Sequence, residues 1–357
     1  MCSCTRTADH ESFVENKALC RFCHAFWVEY AVFLEYPHIK KQVTALKHIF
    51  IINPHAGKKD QTARIYTMAD ALREKHALEC ACMLTDRPGG AAAIARRLAE
   101  TGEEVRIYAC GGDGTVSEVA NGIAGFDNAA MSVIPIGTGN DFLKNFGADM
   151  AKFQDAENLW DGDMQPIDLI DCNGRLCLTI ACNGLDARVA EDVHRYGKAP
   201  LLSGKGSYIA SVAVNFFGSA ISRTWTVSVD GGKPVTDRFT LIALCNGRYY
   251  GGGFFPVPEA RMNDGILHAL IIRHVTRPEF LRLIGPYSKG RHRELPPRLI
   301  QVKEAKEIRI TAEEDIVTSL DGECFRSREI VMRLSEKRLN FFGPKGCDPN
   351  ATAIAAP

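Results

Sequence analysis

The stretch VRIYACGGDGTVSEVANGI, residues 105–123, decides the fold. Val105 to Cys110 is an apolar run of strand length, and Val116, Val119, Ala120 and Ile123 then recur at helical spacing. Between them lies Gly111-Gly112-Asp113-Gly114-Thr115. A strand that passes through glycines straight into a helix leaves the first helix amides and the positive end of the helix dipole at the turn, and the glycines let an anion come close to the backbone. Gly111 to Thr115 is therefore a candidate phosphate cradle. Thr115 adds a hydroxyl, and Asp113 and Glu118 add carboxylates that cap the helix or place a metal through water. An ordinary glycine-rich strand-to-helix turn is the alternative reading of the pentad taken alone.

The pattern repeats on both sides. Leu46 to Ile52 is an apolar run that ends in Asn53-Pro54, and Ile65, Met68, Ala69 and Leu72 mark a helix over 61–75. Leu78 to Leu84 alternates as a second strand, 88–99 has helical spacing, and Met131 to Ile136 is a fourth strand. This alternation predicts a parallel sheet with helices on both faces. Loops that follow neighbouring strands of such a sheet line one crevice. Asn53 to Lys58, Thr85 and the run Pro135-Ile136-Gly137-Thr138-Gly139-Asn140-Asp141 join the pentad there. Neither the G-x-x-x-x-G-K-[ST] loop nor the G-x-G-x-x-G fingerprint is present at these positions.

Beyond about Asp163 short β-like runs dominate, among them 167–170, 176–181, 225–229, 239–244, 266–272, 308–310, 316–320 and 330–334. Asn173-Gly174 and Asp230-Gly231 suit tight hairpins. A mostly antiparallel β domain follows, with helical segments expected at 207–217 and 278–287. The expected divisions are a Cys-rich extension at 1–44, an α/β domain at 45–165, a β-rich domain at 166–334, a segment at 335–347 that returns to the first domain, and a frayed tail at 348–357.

Lysine plus arginine equals aspartate plus glutamate at 43 each, so no net positive field draws in nucleic acid. No apolar run approaches the ~20 residues that span a bilayer, which points to a cytoplasmic protein without a transmembrane segment. Cys80, Cys82, Cys110, Cys177, Cys182 and Cys245 lie in apolar runs, where reduced thiols pack as small hydrophobes. Cys2, Cys4, Cys20, Cys23 and His24 have spacing that could bind zinc, but a non-metal extension is the favoured reading. Lys289, Arg291, His292 and Arg293 read as a solvated basic loop.

Five stretches in order complete a pattern: NPHAG at 53–57, GGDGTVSEV at 111–119, PIGTGNDF at 135–142, PEARMNDGIL at 258–267 and SLDGE at 319–323. Together they resemble the diacylglycerol kinase catalytic-domain superfamily, in particular the soluble bacterial lipid kinases related to sphingosine and ceramide kinases. The resemblance spans about residues 46 to 343. It implies an NAD kinase/diacylglycerol kinase-like fold with the active site in the inter-domain cleft, and transfer of the γ-phosphate of ATP to a lipid hydroxyl, diacylglycerol-like, at the membrane surface. The resemblance places nucleotide contacts at Asn53, Thr85, Gly112, Asp113, Gly114, Thr115, Val116, Ser117, Glu118 and Thr138. Magnesium falls to Arg261, Asp264 and Ile266, with main-chain carbonyls from the first and last. Glu323 becomes the proton acceptor, and Asp113, Asp141 and Asp168 an acidic network around metal and water. Transient docking at the inner membrane face and a homodimer are accompanying expectations. An NAD kinase-like small-molecule kinase and a non-catalytic lipid-binding protein of the same fold stay open as alternatives. Without the resemblance, Asn263-Asp264-Gly265 and Asp321-Gly322 read as solvated hairpin turns. Residues 208–217 are a candidate wall of the lipid pocket, with a buried packing helix as the stronger alternative.

Overall fold

A computed structural model describes residues 46–137, 139–196, 215, 216, 218 and 220–351. The Cys-rich extension, Thr138, most of the helix expected at 207–217 and the last residues of the tail lie outside the described residues.

The first half builds as its pattern predicts. Strands β1 (Lys47–Ile52), β2 (Glu79–Leu84), β3 (Val105–Gly111) and β4 (Ala129–Pro135) pair in parallel in the order β2-β1-β3-β4. The connecting helices are α1 (Thr62–His76), α2 (Gly90–Glu100) and α3 (Asp113–Ile123). β1, β3 and β4 are buried almost throughout, as strands covered on both faces must be. At the centre of this core Phe50 stacks on Tyr108 and Phe342 meets Tyr108 edge-on, and His48 shares a buried 2.8 Å hydrogen bond with the Tyr108 hydroxyl. The connection after β1 runs to β2 on one side, and the connection after β3 runs to β4 on the other. The loops after β1 and β3 therefore flank a topological switch point, the usual ligand position in such sheets.

A short helix α4 (Asp141–Lys144) follows β4, and β5 (Asp163–Ile167) ends the first passage through this sheet. The chain crosses to a second sheet at Asp168-Leu169. There β6 (Ile170–Cys172), β7 (Arg175–Cys177), β8 (Ile180–Gly184), β9 (Arg223–Val229), β10 (Val235–Cys245), β11 (Leu267–Arg273), β12 (Ile300–Ala305), β13 (Glu307–Leu320) and β14 (Glu323–Leu334) form an antiparallel array ordered β12-β11-β10-β8-β13-β14-β6-β7. β9 also pairs with both β10 and β13, beside β8. The chain then returns, and β15 (Leu339–Gly343) inserts between β4 and β5 of the first sheet.

Several elements differ from the sequence reading. The run 167–170 is two strands in different sheets, because Asp168 and Leu169 are the crossover itself. The runs 308–310 and 316–320 are one long β13, with a register shift between Thr311 and Ile316. Helix α5 (Leu185–Tyr196) has no counterpart in that reading; its start alternates Leu185, Ala187 and Val189 with Asp186 and Arg188, a spacing that reads as strand. Strand β12 also escapes the sequence pattern, since its exposed Gln301, Lys303 and Glu304 hide the alternation. Helix α6 (Arg277–Ser288) is present and carries a capping box: Thr276 Oγ1 accepts from the Glu279 N–H at 3.4 Å, and Glu279 Oε2 accepts from the Thr276 N–H at 2.8 Å. His292, read as part of a solvated loop, is buried and sits 3.2 Å from Glu259. The tail is tied down as far as Asn350. The nine cysteines among the described residues are all free.

Candidate active site

The site grows from α3. Gly112 is its N-cap in extended conformation, and the N–H of Val116 already closes the first helical turn on the Gly112 carbonyl at 3.1 Å. By helix geometry the open amides are those of Asp113, Gly114 and Thr115. Intrahelical bonds take up the amides from Val116 onward, so of the expected stretch only Asp113, Gly114 and Thr115 offer free main-chain donors. Glu118 is engaged elsewhere. Its two carboxylate oxygens accept the N–H groups of Gly89 at 2.8 Å and Ala91 at 3.0 Å, which caps α2.

The neighbouring loops close around this turn by close approaches at two glycines, one against backbone and one against a side chain. A Cβ on Gly137 would lie 2.6 Å from Gly112 Cα, and a Cβ on Gly139 would lie 2.4 Å from Asp113 Oδ2. Asp113 uses that proximity: Oδ2 accepts the Asn140 N–H and Oδ1 the Asp141 N–H, each at 2.9 Å. Burial, then the charge of Asp141, pushes the Asp113 carboxyl up to about 6, against the two amides that favour its ionised form; Asp321 adds to the rise. From the other side of the switch point Asn53 Nδ2 donates to Thr115 Oγ1 at 3.1 Å. Thr85 is buried at the end of β2, its N–H bonded to the Ile52 carbonyl at 2.9 Å.

The second sheet reaches the same turn. Asn121 on α3 exchanges hydrogen bonds with the Leu176 main chain at 2.9 and 3.1 Å, which docks the helix on β7. Asp321, at left-handed φ 49°, accepts the N–H groups of Leu178 at 2.6 Å and Thr179 at 2.9 Å. It therefore braces the β13–β14 turn and is not a solvated turn residue. The next carboxylate is exposed and faces α3: Glu323 Oε1 lies 3.2 Å from where a Gly114 Cβ would stand. A side chain at position 114 would displace it.

The remaining expected carboxylates fall in two places. Asp141 belongs with Asp113; its Oδ2 accepts the Gly252 N–H at 2.8 Å and its Oδ1 is paired with Lys144. Asp168 belongs to the loop 258–266. It is buried, its Oδ1 lies 2.8 Å from Arg338 Nε and its Oδ2 accepts the Gly265 N–H at 2.7 Å. Asp168 thus braces the loop, with both oxygens occupied by protein donors. Asp264 is exposed and spends only Oδ1 within the loop, on the Ile266 N–H at 3.0 Å. Among the described residues no three histidine, cysteine, aspartate or glutamate side chains converge on a metal position. The expected set at Arg261, Asp264 and Ile266 is of another kind, one carboxylate with two main-chain carbonyls, and such hard oxygens suit magnesium.

Residues 47–172 match the diacylglycerol kinase catalytic domain, and residues 179–342 match the YegS C-terminal NAD kinase beta sandwich-like domain. The chain belongs to the diacylglycerol kinase catalytic-domain family. It is thereby a lipid kinase with an α/β catalytic half and a YegS-type β-rich half. A protein of Pseudomonas aeruginosa named "Probable lipid kinase YegS-like" is 28% identical over 298 residues, 82% of this chain and 92% of the relative. A diacylglycerol kinase of Bacillus subtilis is 28% identical over 283 residues, 76% and 88% of the two chains. A crystal structure of a diacylglycerol kinase from Bacillus anthracis shares the fold with a TM-score of 0.60 at 21% identity, over 83% of this chain and 96% of the other.

Proposed function

We propose that this lipid kinase transfers the γ-phosphoryl group of ATP to the hydroxyl of a diacylglycerol-like lipid, with Glu323 as the proton acceptor. The observation that carries the reading is the position of Glu323 against Gly114, because it sets a free carboxylate beside the open amides of α3. Phosphoryl transfer asks for donors on the phosphate oxygens and a base within reach of the attacking hydroxyl. The amides of residues 113–115, with Asn53, Thr115 and Thr85 at the rim, supply the first. Glu323 supplies the second. Asp113 holds the Gly137 to Asp141 loop over the phosphates. Magnesium would be held by Asp264 with the carbonyls of Arg261 and Ile266, and would neutralise phosphate charge when bound.

A lipid acceptor would find an apolar starting point in a small cavity of the β-rich half, about 20 Å³, walled by Leu185, Leu241, Phe280, Leu283, Ile284 and Leu295, which would have to widen to admit an acyl chain. Cys324, the neighbour of Glu323, places Sγ 3.7 Å from the carbonyl of Ala187 on α5, the helix whose first residues line the cavity. No helix among the described residues is long and apolar enough to cross a membrane, so the lipid is taken at the face of the bilayer in this reading.

Purified protein is to be incubated with labelled Mg-ATP and either mixed lipid micelles or NAD. Label is expected in lipid, diacylglycerol foremost, and Glu323→Gln should lower kcat by ~10²–10⁴-fold, the usual worth of a general base. Label in NAD alone, or an E323Q protein as active as the wild type, would sink the reading.

A further inference from the structure

The segment after β15 carries none of the family motifs, yet it runs from the first sheet to the loop assigned to magnesium. Gly346 N–H donates to Asp163 Oδ2 at 2.8 Å and Gln165 Nε2 to the Cys347 carbonyl at 2.6 Å, which seat the segment on β5. Asn350 then reaches across. Its Oδ1 accepts the Met262 N–H and its Nδ2 donates to Asn263 Oδ1, both at 2.8 Å. The Met262 carbonyl in turn accepts the Asp168 N–H at 2.7 Å, so this residue is held on both sides of its backbone, two positions before Asp264.

The other end of the connection is Arg248. Its Nη1 donates to the Asn350 carbonyl at 3.5 Å, its N–H to Asn145 Oδ1 at 2.9 Å, and its Nη2 to the Asn145 carbonyl. Asn145 is fully buried and is the C-cap of α4, the helix that Asp141 opens. A series of hydrogen bonds thus runs from the glycine loop over the phosphate cradle, through Asn145, Arg248 and Asn350, to the loop 261–266. Arg248 is only 4% exposed, and these hydrogen bonds all go to neutral oxygens. Burying a guanidinium is costly, and apolar side chains of similar volume often serve stability as well or better. What the arginine offers instead is a planar set of directed donors that fixes the distance between two loops.

We propose that Asn350 and Arg248 are positioning residues that hold the loop of Arg261, Asp264 and Ile266 in register with the phosphate cradle, so that the C-terminal segment sets the affinity for magnesium. The inference rests on the magnesium assignment in the proposed function.

The test uses the full chain and magnesium chloride as the probe. In Asn350→Ala, hydrogen exchange at the Met262 amide should accelerate at least tenfold while β8 and β10 keep their protection. Magnesium-dependent protection of the 261–266 amides, followed by the same exchange without turnover, should need about tenfold more magnesium. Half-saturating magnesium in the kinase assay should rise in step, with kcat at saturating magnesium within about twofold of wild type. Asn350→Asp keeps the acceptor for Met262 and should recover most of the affinity. Unchanged Met262 exchange in N350A, or faster exchange with unchanged magnesium affinity, overturns the inference. A wild-type chain whose 261–266 amides ignore magnesium overturns the metal assignment itself, a different failure that leaves Met262 exchange to judge the contact.

Discussion

At Gly139 the conflict a substitution would create is specific. A Cβ there would stand 2.4 Å from Asp113 Oδ2, the oxygen that holds the Asn140 amide. Gly139→Ala should therefore weaken binding of a non-hydrolysable ATP analogue by tenfold or more while costing ~1–3 kcal/mol of stability, the usual range for overpacking. Calorimetric titration of the analogue checks it, and wild-type affinity would show that this loop does not shape the cradle. Asp186 offers a second residue-level case. It is buried at the cavity wall with the Tyr250 hydroxyl donating to it, and burial raises its carboxyl to about 6 despite hydrogen bonds from Tyr250 and Tyr287. A carboxyl raised in the folded state contributes most when protonated; that contribution is complete below about pH 4 and lost as pH rises through about 6. Asp186→Asn stays neutral, so its stability relative to wild type should increase from pH 4 to pH 7 by up to ~3 kcal/mol, about two pK units. Urea midpoints across that range measure it, and a difference that does not vary with pH would rule the account out.

At the scale of elements, the helix ends are where side chains assigned to chemistry prove to serve architecture. Glu118 was expected among the nucleotide contacts from its place in GGDGTVSEV, yet both its oxygens satisfy open amides at the start of α2. Glu118→Ala should cost ~1–3 kcal/mol, since hydrogen bonds to a charged acceptor are lost at a helix start. It should leave kcat at saturating ATP within a few-fold of wild type; a collapse of kcat without loss of stability would return the residue to direct contact with the nucleotide. The same distinction applies to Asp321 and Glu323, two residues apart in one turn. The first is consumed by the main chain of 178 and 179 and the second is left free beside Gly114. In the sequence both are acidic residues flanking a turn glycine, and only their partners separate them.

For the whole molecule, the two passages between the sheets lie side by side. Ser335 N–H donates to the Leu169 carbonyl at 2.8 Å, and Arg338 pairs with Asp168 at 2.8 Å. Asp168 is 2% exposed, so Arg338→Ala would strand a buried carboxylate. Breaking such a pair costs ~3–5 kcal/mol, and the exposed arginine places this one toward the lower figure. Chemical unfolding should show that loss. Exchange at Gly265, whose amide rests on the other Asp168 oxygen, should accelerate with it; a stable variant with an undisturbed loop would refute a bracing role.

The sequence by itself determined the alternating α/β half, the glycine turn at the head of α3, the antiparallel character of the second half and the resemblance to the diacylglycerol kinases. These are matters of periodicity and short motifs, which are written within a few residues of each other. Only the tertiary structure decided that Glu323 meets Gly114, that Glu118 caps a neighbouring helix, that Asp168 is spent on Arg338 and Gly265, and that Asn350 grips the loop at Met262. Each of these depends on which donor stands opposite which acceptor across tens to hundreds of residues of chain. That pairing is set by the closing of two sheets on one another, and no local pattern encodes it.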